Sequence, residues 1–356
     1  MAFKTTKTEK TRFDSIDWND LKFGVYFSDH MFVAKYANGK WNDGEILPYG
    51  KMEFEPAMCT LHYAQACFEG LKAFPSKQGG ANLFRPTKNA ERLNHSGERL
   101  CIPEIDVNFQ VEAMKELVKL DNKFIPKKRG ESLYLRPFVF GSSSFLGVQA
   151  SSEYLYIVIT SPVASYYSGG LAPVKILITD EYVRAVRGGL GNTKAAANYA
   201  ASLYGGMKAK SLGFAQVLWL DGVNLEFVDE VGAMNIMFVI DDELITPSLE
   251  QGSILPGITR LSVLELAKDL GIKATERRIS INEVLDAHKS GRLKECFGTG
   301  TAAVISPVGQ LTFKGTNYLI NDNKIGPIAQ KLYDTITGIQ YGEIEDKKNW
   351  NLHFEF

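Results

Sequence analysis

The chain has 356 residues, of which 45% are hydrophobic and 23% are charged, and its formal net charge is −1. That length allows two domains that each bury a core, and the composition is ordinary for a soluble globular protein. The near-neutral charge and the lack of a strongly basic window argue against a nucleic-acid partner. No apolar run approaches the length of a membrane span, so the sequence predicts no membrane segment.

The four cysteines and five histidines limit the metal and disulfide chemistry of the chain. We expect neither a disulfide framework nor a zinc site, because the cysteines show no CxxC spacing, and a reducing cytoplasm fits best. The cysteines are Cys59, Cys67, Cys101 and Cys296.

The amino-terminal segment is basic, with Lys4, Lys7, Lys10 and Arg12. It lacks the apolar stretch of a secretory signal. A transit peptide is the alternative, but Glu9 and Asp14 interrupt its pattern, and we expect residues 1–12 to form a frayed tail.

The first half of the chain predicts mixed helices and strands. A strand that ends near Phe84 leads into a helix that runs to about Arg99, and apolar residues at three-to-four spacing predict a second helix around 111–118. Ser132 to Phe140 reads as a strand, and an apolar run at 155–159 predicts a buried strand.

A stretch rich in glycine, proline and serine follows at 165–173, and it predicts an interdomain linker. We expect a small amino-terminal α/β domain at 1–164 and a larger carboxy-terminal domain at 174–356.

The second half predicts strands at 174–179, 216–220 and 235–240, with a helix after Lys194 between the first two. Pro256-Gly257-Ile258-Thr259 opens another helix, which Gly271 ends. Ser280 and Glu283 match the capping box of a further helix. Because the strands and helices follow no regular βαβ repeat, we expect an α+β or mixed α/β fold and not a doubly wound parallel sheet.

Lys194 lies between a glycine-rich turn at 188–191 and a run of small residues at 195–202. A lysine that enters such a segment is either a helix-start residue with its ammonium in water or a desolvated amine. Desolvation lowers the pKa of an ammonium group, and the neutral amine is the form that attacks carbonyls to give Schiff bases. This stretch alone leaves both interpretations open.

Glu230 lies in an apolar strand-like run, where a carboxylate needs a cationic or hydrogen-bonding partner unless it faces water at an edge. The turn into the helix at Ile258 and Thr259 resembles an anion site at a helix N-terminus, although plain capping gives the same pattern. The stretch 298–302 offers more amides and hydroxyls, or is a tight turn.

Arg85 and Arg92 frame a helix start. Arginine suits phosphate, but a surface ion pair is the ordinary interpretation of each.

Together these features match the groups that hold pyridoxal 5′-phosphate (PLP). A lysine forms the Schiff base, an acidic residue holds the pyridinium nitrogen, and helix-terminal amides with an arginine hold the phosphate. Tyr199, five residues after Lys194, is spaced to reach the phenolic oxygen of the cofactor.

The residues also resemble a known family, the branched-chain amino-acid aminotransferases of PLP fold type IV, within the class IV aminotransferases. The resemblance runs from about Phe23 to Gly342. It rests on ordered motifs, which are Phe23-Gly24, Ser28-Asp29-His30-Met31, Leu61-His62-Tyr63, Phe68-Glu69-Gly70-Leu71-Lys72-Ala73-Phe74, Leu83-Phe84-Arg85-Pro86, Asn89, Arg92-Leu93, Tyr134-Leu135-Arg136-Pro137, Leu146-Gly147-Val148, Gly188-Gly189 through Lys194, Asn198-Tyr199, Gln216-Val217-Leu218-Trp219-Leu220, Glu230-Val231-Gly232, Leu255-Pro256-Gly257-Ile258-Thr259-Arg260 and Gly300-Thr301-Ala302.

The resemblance implies a role for each matching residue, with the PLP site at the interface of the two domains. Lys194 would be the catalytic Schiff-base lysine, Glu230 would pair with the pyridine nitrogen, and Tyr199 with the phenolic oxygen. The phosphate would bind Arg92, Ile258, Thr259 and Thr301. The substrate would contact Phe27, Tyr63, Phe68, Tyr134, Arg136, Leu146, Val148 and Ala302, some of them from the partner subunit of a homodimer.

The chain departs from the animal members of the family at two places. Ala233 follows the Glu-Val-Gly motif where those members have a threonine, so a hydroxyl near the substrate carboxylate is missing. A CxxC motif after Gly-Thr-Ala is replaced by residues 303–306, Ala-Val-Ile-Ser, and we expect no thiol switch.

The resemblance implies reversible transamination of leucine, isoleucine and valine with 2-oxoglutarate, with a role in branched-chain amino-acid biosynthesis. Arg136 shares a strand face with Tyr134 and is predicted to help hold the glutamate side-chain carboxylate, directly or through Tyr134, unless it forms a structural ion pair. The alternatives are a D-amino-acid aminotransferase or a PLP lyase of the same fold, and a PLP-binding module without turnover.

Overall fold

The computed structural model describes residues 3–164 and 171–356. Within these residues the chain divides into two compact units. The first unit contains residues 3–164, Lys194–Ala196 and Gly338–Phe356, and the second contains residues 171–193 and 197–337. Most of the predicted linker, at 165–170, lies outside the described residues.

The expected second domain therefore needs a correction at its end, because Gly338–Phe356 belongs to the first unit. The physical reason is strand pairing, since residues 351–354 add an antiparallel strand to the edge of the first sheet. This pairing joins the carboxy terminus to residues 81–84, which are distant in sequence.

The described residues of the first unit before 165 form three α-helices and nine strands, and the last strand of the chain joins them. In chain order they are β1 (Lys4–Thr5), β2 (His30–Ala37), β3 (Lys40–Trp41), β4 (Glu45–Pro48), α1 (Cys59–Tyr63), β5 (Ala66–Phe68), β6 (Leu71–Pro75), β7 (Ala81–Phe84), α2 (Pro86–Glu98), α3 (Val107–Leu120), β8 (Ser132–Gly141) and β9 (Tyr154–Val163).

The second unit contains the elements that follow in the chain, and α7 continues to its end in the first unit. They are β10 (Val174–Ile178), α4 (Ala196–Ser211), β11 (Gln216–Leu220), β12 (Val228–Val231), β13 (Asn235–Ile240), β14 (Glu243–Thr246), α5 (Ile258–Asp269), β15 (Ala274–Glu276), α6 (Ile281–Lys289), β16 (Leu293–Gly300), β17 (Val304–Phe313), β18 (Thr316–Leu319) and α7 (Pro327–Gln340), after which β19 (Asn351–Phe354) closes the chain.

The first unit is built on a ten-stranded sheet in the order β1-β4-β2-β9-β8-β6-β7-β19, with β3 on β2 and β5 on β8. Its pairs are antiparallel apart from β1 on β4. The apolar side of α3, with Met114 and Leu117, packs in one core with Phe32, Leu135 and Tyr156 of the sheet. This burial explains why the predicted three-to-four spacing forms a helix.

The amino-terminal segment corrects a prediction. Residues 3–12 are not a frayed tail, because Lys4–Thr5 pairs in parallel with Glu45–Ile46 and Phe3 packs edge-on against Phe32, with ring centroids 4.9 Å apart. Backbone pairing and an aromatic contact therefore fix this segment.

The second unit is built on a nine-stranded sheet in the order β12-β11-β10-β17-β16-β13-β14-β15, with β18 on β17. It is mixed, since β10 is parallel to both β11 and β17 whereas β13 and β16 are antiparallel. Its core joins Ile176, Leu218 and Phe238 of the sheet with Val284 of α6. The mixed topology agrees with the expected α+β class.

Local signals located the helix starts well. The helix α5 begins at Ile258, and Gly271 after it has a φ of 68°. Ser280 caps α6, because its hydroxyl accepts a hydrogen bond from the backbone N–H of Glu283. Among the helices of the described residues, none is long and apolar enough to cross a membrane.

Candidate active site

The backbone of Lys194 is fixed inside the first unit. Its N–H donates to Ser96 Oγ on α2 at 2.9 Å, and its carbonyl accepts from the N–H of Phe68 at the end of β5 at 3.2 Å. The next residue, Ala195, forms an isolated antiparallel bridge with Cys67. The backbone of Lys194 is therefore fixed on both sides.

The side chain of Lys194 is half-buried, with Nζ 4.7 Å from the centre of the Phe68 ring. Burial lowers the pKa of Lys194 to about 8, against the opposing effect of the Glu69 carboxylate. The amine is therefore far more easily deprotonated than an ordinary lysine, as a nucleophile requires. Of the two interpretations left open by the sequence, the structure favours the desolvated amine.

Glu69 and Arg92 form a buried two-point ion pair beside Lys194. Arg92 Nε lies 2.7 Å from Glu69 Oε1, and Nη2 lies 2.9 Å from Oε2. Asn89 also donates to Oε2, at 2.7 Å. Burial raises the pKa of Glu69, but the Arg92 guanidinium outweighs it and holds that pKa below its usual value.

The ordinary interpretation of Arg85 and Arg92 as surface ion pairs is wrong for both. Both residues are 8% exposed. Arg92 pairs with the buried Glu69, whereas the Arg85 guanidinium lies 4.8 Å from the centre of the Trp350 ring. Both side chains are buried against residues distant in the sequence, which local sequence cannot indicate.

Tyr134 and Arg136 lie on the same face of β8, as period two predicts. Arg136 Nη2 donates to Tyr134 Oη at 3.2 Å, and its guanidinium lies 4.6 Å from the centre of the Phe68 ring. Within the described residues Arg136 Nε is buried without a hydrogen-bond partner. A Cβ on Gly70 would lie 1.9 Å from Tyr134 Oη, so a larger residue there would displace the Tyr134 hydroxyl.

The other predicted substrate residues of the first unit form separate contacts. Phe27 stacks on Tyr49 with ring centroids 4.9 Å apart. Tyr63 donates from its hydroxyl to the Leu146 carbonyl. In the single chain Leu146 and Val148 are strongly exposed.

Glu230 is buried in β12 of the second unit, so it is not an edge carboxylate in water. The structure supplies the partners that burial demands. Arg184 Nη2 lies 2.9 Å from Oε2, while Asn235 Nδ2 and the Leu255 N–H donate to Oε1 at 2.9 and 3.2 Å. The carboxylate is thereby held in one orientation.

Arg184 also donates through Nη2 to the carbonyls of Gly191 and Ser253. One guanidinium thus connects the strand of Glu230 with the glycine-rich turn and with the loop before α5. Next to Glu230, Asp229 accepts from Ser253 Oγ at 3.2 Å, and burial raises the pKa of Asp229 to about 6.

The α5 N-terminus has the form of an anion site. Gly257 is its N-cap and makes no side-chain capping bond, and Ile258 and Thr259 in the first turn are buried. A Cβ on Gly257 would lie 1.9 Å from Asn235 Oδ1, so a larger residue there would displace the Asn235 amide. Asn235 also donates to the Leu255 carbonyl, which joins the helix start to the strand of Glu230.

The last two predicted regions of the second unit lie at element ends. Tyr199 is in the first turns of α4, where Asn198 donates to the carbonyls of Leu190 and Thr193 and ties the glycine-rich turn to the helix. Gly300 pairs with Val304 across a hairpin. Thr301 and Ala302 lie in its turn, which agrees with the tight-turn alternative.

The structure therefore places the predicted residues in two groups, one in each unit. The first unit holds Phe27, Tyr63, Phe68, Arg92, Tyr134, Arg136, Leu146, Val148 and Lys194, and the second holds Tyr199, Glu230, Ile258, Thr259, Thr301 and Ala302. Sequence reasoning assigned no role to Glu69, Ser96, Arg184 or Asn235. Glu69 had a usable signal, since it is a carboxylate inside an apolar run, as Glu230 is.

Comparison with known proteins identifies the family. Residues 66–311 match the family model of the class IV amino-transferases. Branched-chain-amino-acid aminotransferase 2 of Bacillus subtilis is 52% identical over 346 residues, which are 97% of this chain and 94% of that protein. This chain belongs to the branched-chain aminotransferases of class IV.

Solved structures share the fold of this aminotransferase. The branched-chain amino acid aminotransferase of Escherichia coli superposes with a TM-score of 0.75 at 26% identity, over 91% of this chain and 98% of that one. The branched-chain aminotransferase of T.th., solved with N-(5′-phosphopyridoxyl)-L-glutamate, gives a TM-score of 0.71 at 24% identity, over 90% and 98% of the two chains. The predicted family and fold class are thus confirmed.

The range matched by the family model divides the predicted residues of this aminotransferase. Lys194, Arg136 and Glu230 lie inside it, whereas Phe27 and Tyr63 lie before it.

Proposed function

We propose that this aminotransferase moves the amino group of leucine, isoleucine or valine to 2-oxoglutarate, reversibly, with PLP as its cofactor. The observation that carries the proposal is the half-buried Lys194, whose pKa is lowered to about 8 beside Phe68, Tyr134 and Arg136. The B. subtilis relative at 52% identity supports the substrate class.

The donor set of the chain fits PLP. A readily deprotonated amine suits an aldehyde, a buried carboxylate on Glu230 suits a pyridinium nitrogen, and the α5 N-terminus suits a phosphate. When bound, PLP supplies the aldehyde and a ring that takes up electrons from the substrate Cα. The ligand solved with the T.th. relative, a phosphopyridoxyl derivative of glutamate, is of the same chemical type.

We assign the cofactor contacts as follows. Lys194 would hold the aldehyde carbon, Tyr199 the phenolic oxygen and Glu230 the ring nitrogen. Ile258, Thr259, Thr301 and Arg92 would hold the phosphate, the first two partly through backbone N–H groups.

Lys194 would also move a proton at the substrate Cα. An amine with a pKa near 8 both accepts and returns a proton at neutral pH, which general acid–base catalysis needs. The Arg184 guanidinium lies 2.9 Å from the Glu230 carboxylate and would help to hold that carboxylate in place for the ring nitrogen.

The substrate wall has to accept an apolar side chain and a carboxylate in turn. Phe27, Phe68 and Tyr134 supply aromatic surface for leucine, isoleucine and valine. Arg136 would hold the side-chain carboxylate of glutamate, directly or through Tyr134. Its buried Nε, without a hydrogen-bond partner among the described residues, supports this assignment over a structural ion pair.

Three further assignments remain part of the proposal. Tyr63, Leu146, Val148 and Ala302 would contact substrate, and the exposure of Leu146 and Val148 in one chain suits a homodimer in which they cover the partner's substrate. The cysteines of the described residues are free thiols, which suits the proposed cytoplasmic location.

The test compares substrates of the alternative functions on the PLP-loaded enzyme. We expect turnover of L-leucine with 2-oxoglutarate to exceed that of D-alanine by about a hundredfold or more. The apolar wall suits the leucine side chain, and the configuration at Cα decides whether the Cα proton faces the base, Lys194. Faster turnover of D-alanine, or release of a lyase product without glutamate formation, would contradict the proposal.

A further inference from the structure

The segment before the first long strand is anchored as a strap over the first unit. We define the amino-terminal strap as residues 4–12. The Thr6 N–H donates to the Ile46 carbonyl at 2.9 Å, and the Thr8 N–H donates to His30 Nε2 at 3.0 Å. His30 in turn bonds through Nδ1 to the buried Asp121 at 2.6 Å.

The end of the strap is bound by Asp29, whose side chain is almost fully buried. The Arg12 N–H donates to Asp29 Oδ1 at 2.6 Å, while Thr11 Oγ1 and Lys123 Nζ each lie 2.9 Å from Oδ2. Burial raises the pKa of Asp29, but these bonds outweigh it and hold that pKa below its usual value. The carboxylate is therefore charged at neutral pH and holds three donors.

The side chain of Arg12 extends from this anchor to Tyr49. Its guanidinium lies 4.7 Å from the centre of the Tyr49 ring, and Nη2 donates to the Tyr49 carbonyl at 3.0 Å. The Tyr49 N–H donates to the Asp29 carbonyl at 2.8 Å. The ring, the backbone N–H and the backbone carbonyl of Tyr49 are thus each held by a partner.

Phe27 lies against the same ring. The two aromatic planes are 8° apart and the centroids are 4.9 Å apart, which is a parallel stack. Ser28, the next residue, is fixed by its N–H to the Thr160 carbonyl at 3.0 Å. The position of the Phe27 ring therefore depends on Tyr49, and that of Tyr49 on Arg12 and Asp29.

We propose that Arg12 and Asp29 are positioning residues that set the place of Phe27 through Tyr49 and so determine how the enzyme discriminates among branched-chain substrates. The inference rests on the proposed function, because that function makes Phe27 part of the substrate wall. A difference of one methylene in an apolar pocket changes kcat/KM by about tenfold or more. A small displacement of one aromatic wall therefore changes the ratio for leucine over valine.

The experiment measures kcat and KM for leucine and for valine in matched variants. Arg12→Ala removes the guanidinium from Tyr49 but keeps the backbone N–H on Asp29, and Tyr49→Leu removes the stacked ring. Arg12→Lys and Tyr49→Phe are the conservative pair. Lys10→Ala is the control, because Lys10 is an exposed cation of the same strap whose bonds with Thr8 use its backbone.

We expect Arg12→Ala and Tyr49→Leu to change the leucine-to-valine ratio of kcat/KM by about threefold or more, through KM, with kcat within about twofold of the wild type. The conservative variants and Lys10→Ala should keep the wild-type ratio. Phe27→Ala should change the ratio more than any of them. Amide hydrogen exchange over 27–30 should rise in Arg12→Ala and stay unchanged in Lys10→Ala.

The results distinguish failure of this inference from failure of the proposed function. An unchanged ratio in both Arg12→Ala and Tyr49→Leu, with leucine turned over by the wild type, contradicts the inference alone. A wild-type enzyme that does not turn over leucine contradicts the proposed function as well. Because Arg12 is exposed, Arg12→Ala is expected to fold. If Tyr49→Leu does not fold, the ratio in Arg12→Ala alone tests the inference.

Discussion

Arg184 Nη2 lies 2.9 Å from Glu230 Oε2, and each of these side chains is less than one-tenth exposed. The pair is therefore a buried one, and the same guanidinium also binds the carbonyls of Gly191 and Ser253. Each charge offsets the desolvation cost of the other only while both are present, because either one alone is left without a partner in a region of low polarity.

We predict that Arg184→Met lowers the free energy of unfolding by about 3–5 kcal/mol, since it leaves the Glu230 carboxylate uncompensated. Chemical denaturation measures the change. Arg292→Met is the matched control, because Arg292 and Asp241 form an ion pair in which both side chains are exposed, and its cost should be at most about 1 kcal/mol. Equal costs for the two variants would contradict the assignment of Arg184.

Asp229 gives the stability a pH dependence. Burial raises the pKa of Asp229 from 3.8 to about 6 in the folded protein. The folded state thus binds this proton more tightly than the unfolded chain does. The contribution of the bound proton to the free energy of unfolding is fully present below about pH 4 and is lost as the pH rises through about 6.

We predict that Asp229→Asn, which keeps an acceptor for Ser253, raises the free energy of unfolding by about 2 kcal/mol at neutral pH and leaves it unchanged below about pH 4. Denaturation curves across this range provide the measurement. Asp242→Asn, at an exposed carboxylate of the same unit, should have no such effect. A gain at neutral pH in the control alone would rule the explanation out.

Lys72 is a second buried amine of the first unit, and burial lowers its pKa to about 8 as well. The two lysines differ in access, because Lys194 is half-buried whereas Lys72 is 6% exposed. We therefore predict that PLP attaches to Lys194 and not to Lys72.

Borohydride reduction of the PLP-loaded enzyme, followed by peptide mapping, should find the cofactor on the peptide of Lys194. Lys194→Ala should keep its fold and lose the visible absorbance of the lysine-bound cofactor, and Lys72→Met should retain that absorbance. Labelled Lys72, or an unchanged spectrum in Lys194→Ala, would remove the central residue from the proposed site.

Arg136 provides a prediction about dual substrate use. Arg136→Met should slow the half-reaction with 2-oxoglutarate by about tenfold or more relative to that with leucine, because a charge-assisted hydrogen bond to a carboxylate is lost. Stopped-flow absorbance follows each half-reaction separately, and Arg136→Lys should restore part of the difference. Equal slowing of both would show that Arg136 supports the wall in general and does not select the acid.

Local signals in the sequence were sufficient to predict most elements and to single out Lys194 and Glu230 as candidate site residues. The start of α5 at Ile258 and the cap at Ser280 depend on neighbours within a few residues. Lys194 and Glu230 stood out because a charged side chain in apolar or small surroundings needs a physical reason. Such reasons are visible in a sequence without knowledge of the fold.

Partners that are distant in the chain were not predictable in this way. Arg92 was expected at the surface, because nothing near it in the sequence indicates a buried partner. Its pair with Glu69 forms only when α2 packs on the sheet. Arg184 lies among ordinary loop residues, and nothing near it indicates Glu230. The strap was expected to fray for the same reason, since Lys4–Thr5 pairs with a strand some forty residues later.

The most direct test of the central claim follows the nitrogen atom itself. The PLP-loaded enzyme is incubated with 15N-labelled L-leucine and 2-oxoglutarate, and the products are analysed by mass spectrometry. We predict labelled glutamate and 4-methyl-2-oxopentanoate in equal amounts, with formation of both abolished in Lys194→Ala. Labelled ammonia in place of glutamate, or no consumption of leucine, would contradict the account.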